Sequence, residues 1–148
     1  MGNFGLENVI LTGIEVVFEF ADGGDLAKYI SKEEKLSENV TVSVMKQISQ
    51  ALLFLHSKKQ VHRDVKPQNI LIFGANQNAT YKLADFGLAR EIISTMSIQG
   101  TIDYMAPEIR NKETDFTTAV DIFSLGVVLV EALTGKASWF AKDFQQSK

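Results

Sequence analysis

The most regular hydrophobic pattern in the chain lies between Ser37 and His56, where Val40, Val44, Ile48, Ala51, Leu52 and Leu55 recur at helical spacing. Such spacing puts the apolar side chains on one stripe of an α-helix, expected to pack on a core. Ser37 suits the N-cap, because its hydroxyl can accept from an otherwise unpaired N–H of the first turn. A second helix is predicted over Thr117–Leu133, where apolar residues cover nearly every face, as in a helix buried inside an α-rich domain. Gly135 supplies its C-cap. The short runs Ile70–Phe73 and Tyr81–Ala84 predict strands. Gly74, Asn76 and Asn78 in the polar stretch between them make the pair a hairpin with a rather long loop. Glu15–Phe20 reads as a buried strand ended by Asp22-Gly23-Gly24, and residues 1–14 as at best one strand with a frayed start. The segment Lys32-Glu33-Glu34-Lys35 reads as a solvated face or loop.

Composition narrows the class without choosing a function. A chain of 148 residues fits one domain, and 45% hydrophobic against 22% charged residues argues against wholesale disorder. The formal net charge of -3 gives no reason to expect nucleic acid or an anionic membrane as partner. With no cysteine, disulfides, thiolate metal sites and cysteine nucleophiles are excluded. The best membrane-span candidate, Ile122–Leu133, is too short and meets charges at Asp121 and Glu131. No basic-then-apolar leader opens the chain, and Leu6 stands where a myristoylation signal needs Ser or Thr. The expected compartment is cytoplasmic.

Four strings carry candidate chemistry. His62-Arg63-Asp64-Val65-Lys66-Pro67-Gln68-Asn69 follows the long helix, and Asp85-Phe86-Gly87 follows the second hairpin strand. Ala106-Pro107-Glu108 comes after a loop, and Asp121-Ile122-Phe123-Ser124-Leu125-Gly126 opens the buried helix. In this order and these contexts they resemble the catalytic loop, metal-binding loop and activation-segment end of eukaryotic-type serine/threonine protein kinases. The resemblance covers roughly Val16 to Leu133. It implies an α+β, protein-kinase-like fold, mostly the α-helical C-lobe with a truncated N-lobe. Residues 1–20 would be a remnant of N-lobe strands, and 21–148 the hinge and C-lobe core.

It also implies a reaction, transfer of the ATP γ-phosphate to a Ser or Thr hydroxyl of a protein substrate with Mg²⁺. Such a transfer needs an oriented hydroxyl, charge neutralisation at the phosphate and a hard cation bridging the phosphates. By resemblance Asp64 orients the hydroxyl and accepts its proton, and Lys66 points at the γ-phosphate. Asn69 and Asp85 hold the metal through oxygen. Phe18 would be the gatekeeper, backbone groups of Glu19 and Ala21 would meet the adenine edge, Asp25 the ribose, and Leu71 would form the floor beneath the base. His62 and Phe86 resemble members of the apolar spine, Asp121 resembles the anchor of the catalytic-loop backbone, and His56 reads simply as a helix end. Lys66 and Gly100-Thr101 match the serine/threonine class. Arg63 before Asp64 implies control by a phosphate on the activation loop, with Ser97 the expected target of an upstream kinase and Ser94 and Thr95 the runners-up.

The departures set a second expectation. No glycine-rich strand turn and no Val-Ala-x-Lys precede Glu15, and the first lysine is Lys28. The arginine that normally pairs with the glutamate at Glu108 is also missing, leaving that carboxylate expected to be buried without its cation. The chain is therefore expected to bind nucleotide weakly and to turn it over hardly at all. The alternative reading is a non-catalytic kinase remnant serving as a binding module.

Overall fold

The computed structural model describes residues 18–75, 78–85, 101–111 and 117–136, together with the backbone of 90–91. Helix α1 spans Leu26–Glu33 and helix α2 Glu38–Ser57. A two-residue strand β1 (Gln60–Val61) leads through a 3-10 turn at Pro67–Asn69 into β2 (Ile70–Phe73), which pairs antiparallel with β3 (Thr80–Leu83). Strand β4 (Arg90–Glu91) returns to pair with β1. A second 3-10 turn (Ile102–Tyr104), the short helix α3 (Pro107–Arg110) and helix α4 (Ala119–Thr134) complete the order.

The long helix forms where its apolar stripe predicts. Val44, Ile48, Leu52 and Leu55 are buried, and Val40 and Ala51 pack at the margin. Ser37 is the N-cap, its Oγ accepting from Val40 N at 3.5 Å. This stripe meets β2, β3 and the apolar body of α4 in one core that includes Leu26, Ile70, Leu83, Leu125 and Val128. Fully burying one such aliphatic side chain is worth about 1.5–3 kcal/mol. A smaller cluster of Val61, Met105, Ala106, Ile109 and Val120 joins the first through Phe123. It fixes the 101–110 segment against the start of α4. Gly135 ends α4 in the left-handed region at φ 73°, as a C-cap glycine does.

The hairpin holds with a one-residue shift: β3 is Thr80–Leu83 rather than Tyr81–Ala84, and the N–H of Ala84 leaves the ladder for Asn69 O at 2.8 Å. Its free edge is clamped by Gln47 of α2, whose Nε2 donates to Ala79 O and whose Oε1 accepts from Tyr81 N.

Three readings are corrected. Helix α1 occupies a stretch read only as a hinge followed by a charged loop. Asp25 caps it, with Oδ1 accepting from Lys28 N at 2.9 Å, and Leu26 and Ile30 bury its inner face. The described end of the Glu15–Phe20 run, residues 18–20, is not strand, and Phe18 and Phe20 are 82% and 86% exposed rather than buried. No described strand pairs beside them, and an apolar run without a neighbouring strand has nothing to bury against. Glu108 is half-buried rather than buried. Val16, Asn76, Phe86, Ser94, Thr95, Ser97 and Gly100 lie outside the described residues.

Candidate active site

The site is built on one buried carboxylate. Asp121, in the first turn of α4 and fully buried, accepts from His62 N through Oδ2 and from Arg63 N through Oδ1, both at 2.8 Å. These bonds hold Arg63 at φ 71°, a left-handed conformation that costs a residue with a Cβ about 1–2 kcal/mol. The chain then turns sharply and delivers Asp64. Strain of this kind gathers at functional sites because the surrounding bonds over-determine it. Asp121 thus anchors the loop backbone as its position in the string implied.

Lys66, Asn69 and Thr101 converge on Asp64. Lys66 Nζ lies 2.6 Å from Asp64 Oδ2 and also donates to Thr101 Oγ1 at 2.8 Å. Thr101 gives its N–H and its hydroxyl to Asp64 Oδ1, at 3.1 and 3.2 Å. Asn69 Nδ2 donates to Asp64 O at 2.8 Å and to Oδ2 at 3.0 Å, which leaves the amide oxygen facing away from that carboxylate. Asp85 is linked to the same centre through its neighbour. Ala84 donates to Asn69 O and its carbonyl meets His62 Nε2 at 3.0 Å, so the segment is tied down one residue before Asp85. Asp85 itself is exposed and also sits in the left-handed region at φ 62°. Loop, hairpin and returning segment therefore meet at one edge.

The hinge residues lie along β2. Gly23 N donates to Ile72 O, Ile72 N to Gly24 O, and an isolated bridge joins Asp25 to Leu71. Gly23 approaches β2 so closely that a Cβ there would stand 2.7 Å from the Ile72 side chain. Leu71 is half-buried beside the hinge, and Ala21 closes the turn by accepting from Gly24 N at 3.1 Å. The Asp25 carboxylate is engaged with the first turn of α1 and with Lys28 Nζ at 3.0 Å. The Phe18 ring stands in solvent, and the Glu19 carboxylate pairs with Lys82.

A family model described as "Protein kinase domain" matches residues 11–148. The chain belongs to the protein kinase domain family. Its relatives include the serine/threonine-protein kinase atg1 of Dictyostelium discoideum, 38% identical over 132 residues that cover 86% of this chain and 20% of that protein. Human serine/threonine-protein kinase ULK1 is 39% identical over 141 residues, covering 89% of this chain and 13% of that protein. The ULK3 kinase of Xenopus laevis is 39% identical over 136 residues, 90% of this chain and 29% of that protein. The chain thus spans less than a third of the length of these relatives.

In this kinase domain the electrostatics follow from the contacts. Burial pushes the Asp64 carboxyl up, but the Lys66 ammonium, the Asn69 amide and the Thr101 N–H together outweigh it and hold its pKa below the ordinary value. Asp64 is therefore ionised at neutral pH. The donor set also suits a hard cation. Asn69 keeps an amide oxygen to which no described group donates, and Asp85 offers carboxylate oxygens. Among the described residues no three His, Cys, Asp or Glu side chains form a metal cage. One or two protein oxygens completed by phosphate is how Mg²⁺ is usually held.

Two contributors went unread in the sequence. Thr101 was read only as a mark of the serine/threonine class, yet it bonds both Asp64 and Lys66. His56, read as a mere helix end, places Nε2 2.8 Å from Asp121 Oδ2 and so completes the shell of the buried anchor. His62, expected in an apolar spine, is fully buried but also makes the polar contact to Ala84.

Proposed function

We propose that this domain transfers the γ-phosphate of ATP to Ser or Thr hydroxyls of proteins. The observation that carries the reading is the Asp64–Lys66–Asn69–Thr101 cluster, which sets a charged acceptor, a cation and an oxygen ligand within one hydrogen-bonded group. ATP supplies the phosphoryl group, and Mg²⁺ offsets the charge on its oxygens. Asp64 receives the hydroxyl of the substrate and takes its proton as the new oxygen–phosphorus bond forms and the γ-phosphorus bond to the departing ADP oxygen breaks. Lys66, shared with Thr101, is placed to follow the charge on the transferred group. Asn69 and Asp85 would hold the metal, and Glu19, Ala21, Asp25 and Leu71 would line the nucleoside side. Phe18 would flank it, and a protein kinase acting on Ser97 would supply control. The presence of all four catalytic and metal-binding side chains favours this over a remnant that only binds.

Nucleotide affinity tests the reading. ATP binding followed by calorimetry is expected to strengthen severalfold on adding Mg²⁺ and to lose that gain in Asp85→Asn. An affinity indifferent to Mg²⁺ in the parent protein contradicts the assignment of Asp85 and Asn69.

A further inference from the structure

Lys82 lies on the outward face of β3, directly across from Leu71 in the hairpin register. Its ammonium sits 4.3 Å from the centre of the Phe73 ring and 2.5 Å from Glu19 Oε2. Leu71 and Phe73 are two residues apart on β2 and so share that face with Lys82. The hinge beyond Asp22 is already zipped to β2 by backbone bonds, and Asp22 itself accepts from Gly74 N at 2.8 Å. Among the described residues nothing forms such a ladder with 18–20, and Phe18 and Phe20 stand in solvent on either side of Glu19. The side chain of Glu19 is what reaches the hairpin from this stretch.

The geometry points to Lys82 as a positioning residue for the nucleotide site: stacked on Phe73 and paired with Glu19, it latches the start of the hinge over the hairpin face that carries Leu71. The inference rests on the proposal that Glu19 and Ala21 present backbone groups to a nucleotide. An aromatic face under an ammonium pre-orients it, which lowers the entropy lost when the carboxylate is engaged. The pair is nonetheless half in water, with side chains 46% and 63% exposed, so its strength must depend on salt. That dependence separates a latch made by charge from a lysine that merely covers the Phe73 ring with its stem.

Three proteins decide it: the full chain, Lys82→Met, which keeps the stem and removes the charge, and Lys82→Arg, which keeps the charge. Amide hydrogen exchange at Gly23 and Gly24, whose N–H groups are bonded to Ile72 O and Ala21 O, should quicken about 1.5- to 5-fold in Lys82→Met, the range open to an exposed ion pair. It should stay near the parent rate in Lys82→Arg. The gap between parent and Lys82→Met should close as salt rises toward about 1 M, where screening acts over roughly 3 Å. Affinity for Mg-ATP should fall by the same factor in Lys82→Met at low salt. Unchanged exchange in Lys82→Met, or a gap that salt does not touch, overturns the latch. Faster exchange with unaltered nucleotide affinity overturns its positioning role. A parent that binds no nucleotide overturns the nucleotide reading and that role with it, while the exchange arm still decides whether the latch exists.

Discussion

Tyr104 and Glu131 show how much a single buried contact can bias this domain. The Tyr104 hydroxyl donates to Glu131 Oε2 at 2.6 Å, and Ser124 Oγ donates to Tyr104 O at 2.7 Å, so α4 grips the segment that carries Thr101. Burial pushes the Glu131 carboxyl up, only partly countered by the Tyr104 hydroxyl, and the nearby Asp103 charge pushes the same way. Burial, then the Glu131 contact, also raises Tyr104, which therefore stays protonated. A carboxyl raised in the folded state adds stability below its unfolded value of 4.5 and loses it as pH rises through the folded value. Asp64 has the opposite sign. Its pKa is lowered in the folded state, so its share is present at neutral pH and is lost as pH falls through the folded value. Glu131→Gln should keep the acceptor and remove the charge. In urea unfolding the variant is expected to be more stable than the parent at pH 7, with the gap shrinking at pH 4. A gap that widens toward acid would show that Glu131 is better tolerated as an anion than its surroundings indicate.

Elements were legible in proportion to how much of their stability their own pattern records. Helices α2 and α4 carry four or more core residues at helical spacing, and the β2–β3 hairpin has turn formers between apolar runs. Helix α1 has only Leu26 and Ile30 as fully buried residues, among charged neighbours, and its cap was read for a role at the ribose instead. The catalytic loop could be recognised as a string, but the His56–Asp121 contact joins residues 65 apart and leaves no local trace. The Phe18–Phe20 reading failed for a related reason: an apolar run marks what can be buried, not whether a partner strand stands beside it. Two glycines in and after α4 test the element account from opposite sides. Gly126 lies mid-helix with no atom within 4 Å of the place its Cβ would take, so Gly126→Ala should stabilise by about 0.5–1 kcal/mol. Gly135 combines φ 73° with the Glu34 carbonyl directly in the path of a Cβ. Gly135→Ala is therefore expected to destabilise by more than about 1 kcal/mol. Denaturant midpoints of the two variants, moving in the same direction, would contradict the assignment.

At the scale of the molecule, the fold brings four remote stretches to one edge. Helix α4 supplies Asp121, which fixes the turn at Arg63. The turn delivers Asp64, the hairpin returns Asp85 beside Asn69, and the 101–110 segment lays Thr101 against Asp64 and Lys66. The most direct measurement is phosphate transfer from γ-labelled ATP to a generic protein substrate by the purified chain beside its Asp64→Asn variant, with the acceptor residues identified. The account predicts slow transfer to serine and threonine by the parent, reduced about 10²–10⁴-fold in the variant, the share a positioned proton acceptor supplies. Transfer by Asp64→Asn at the parent rate would contradict it.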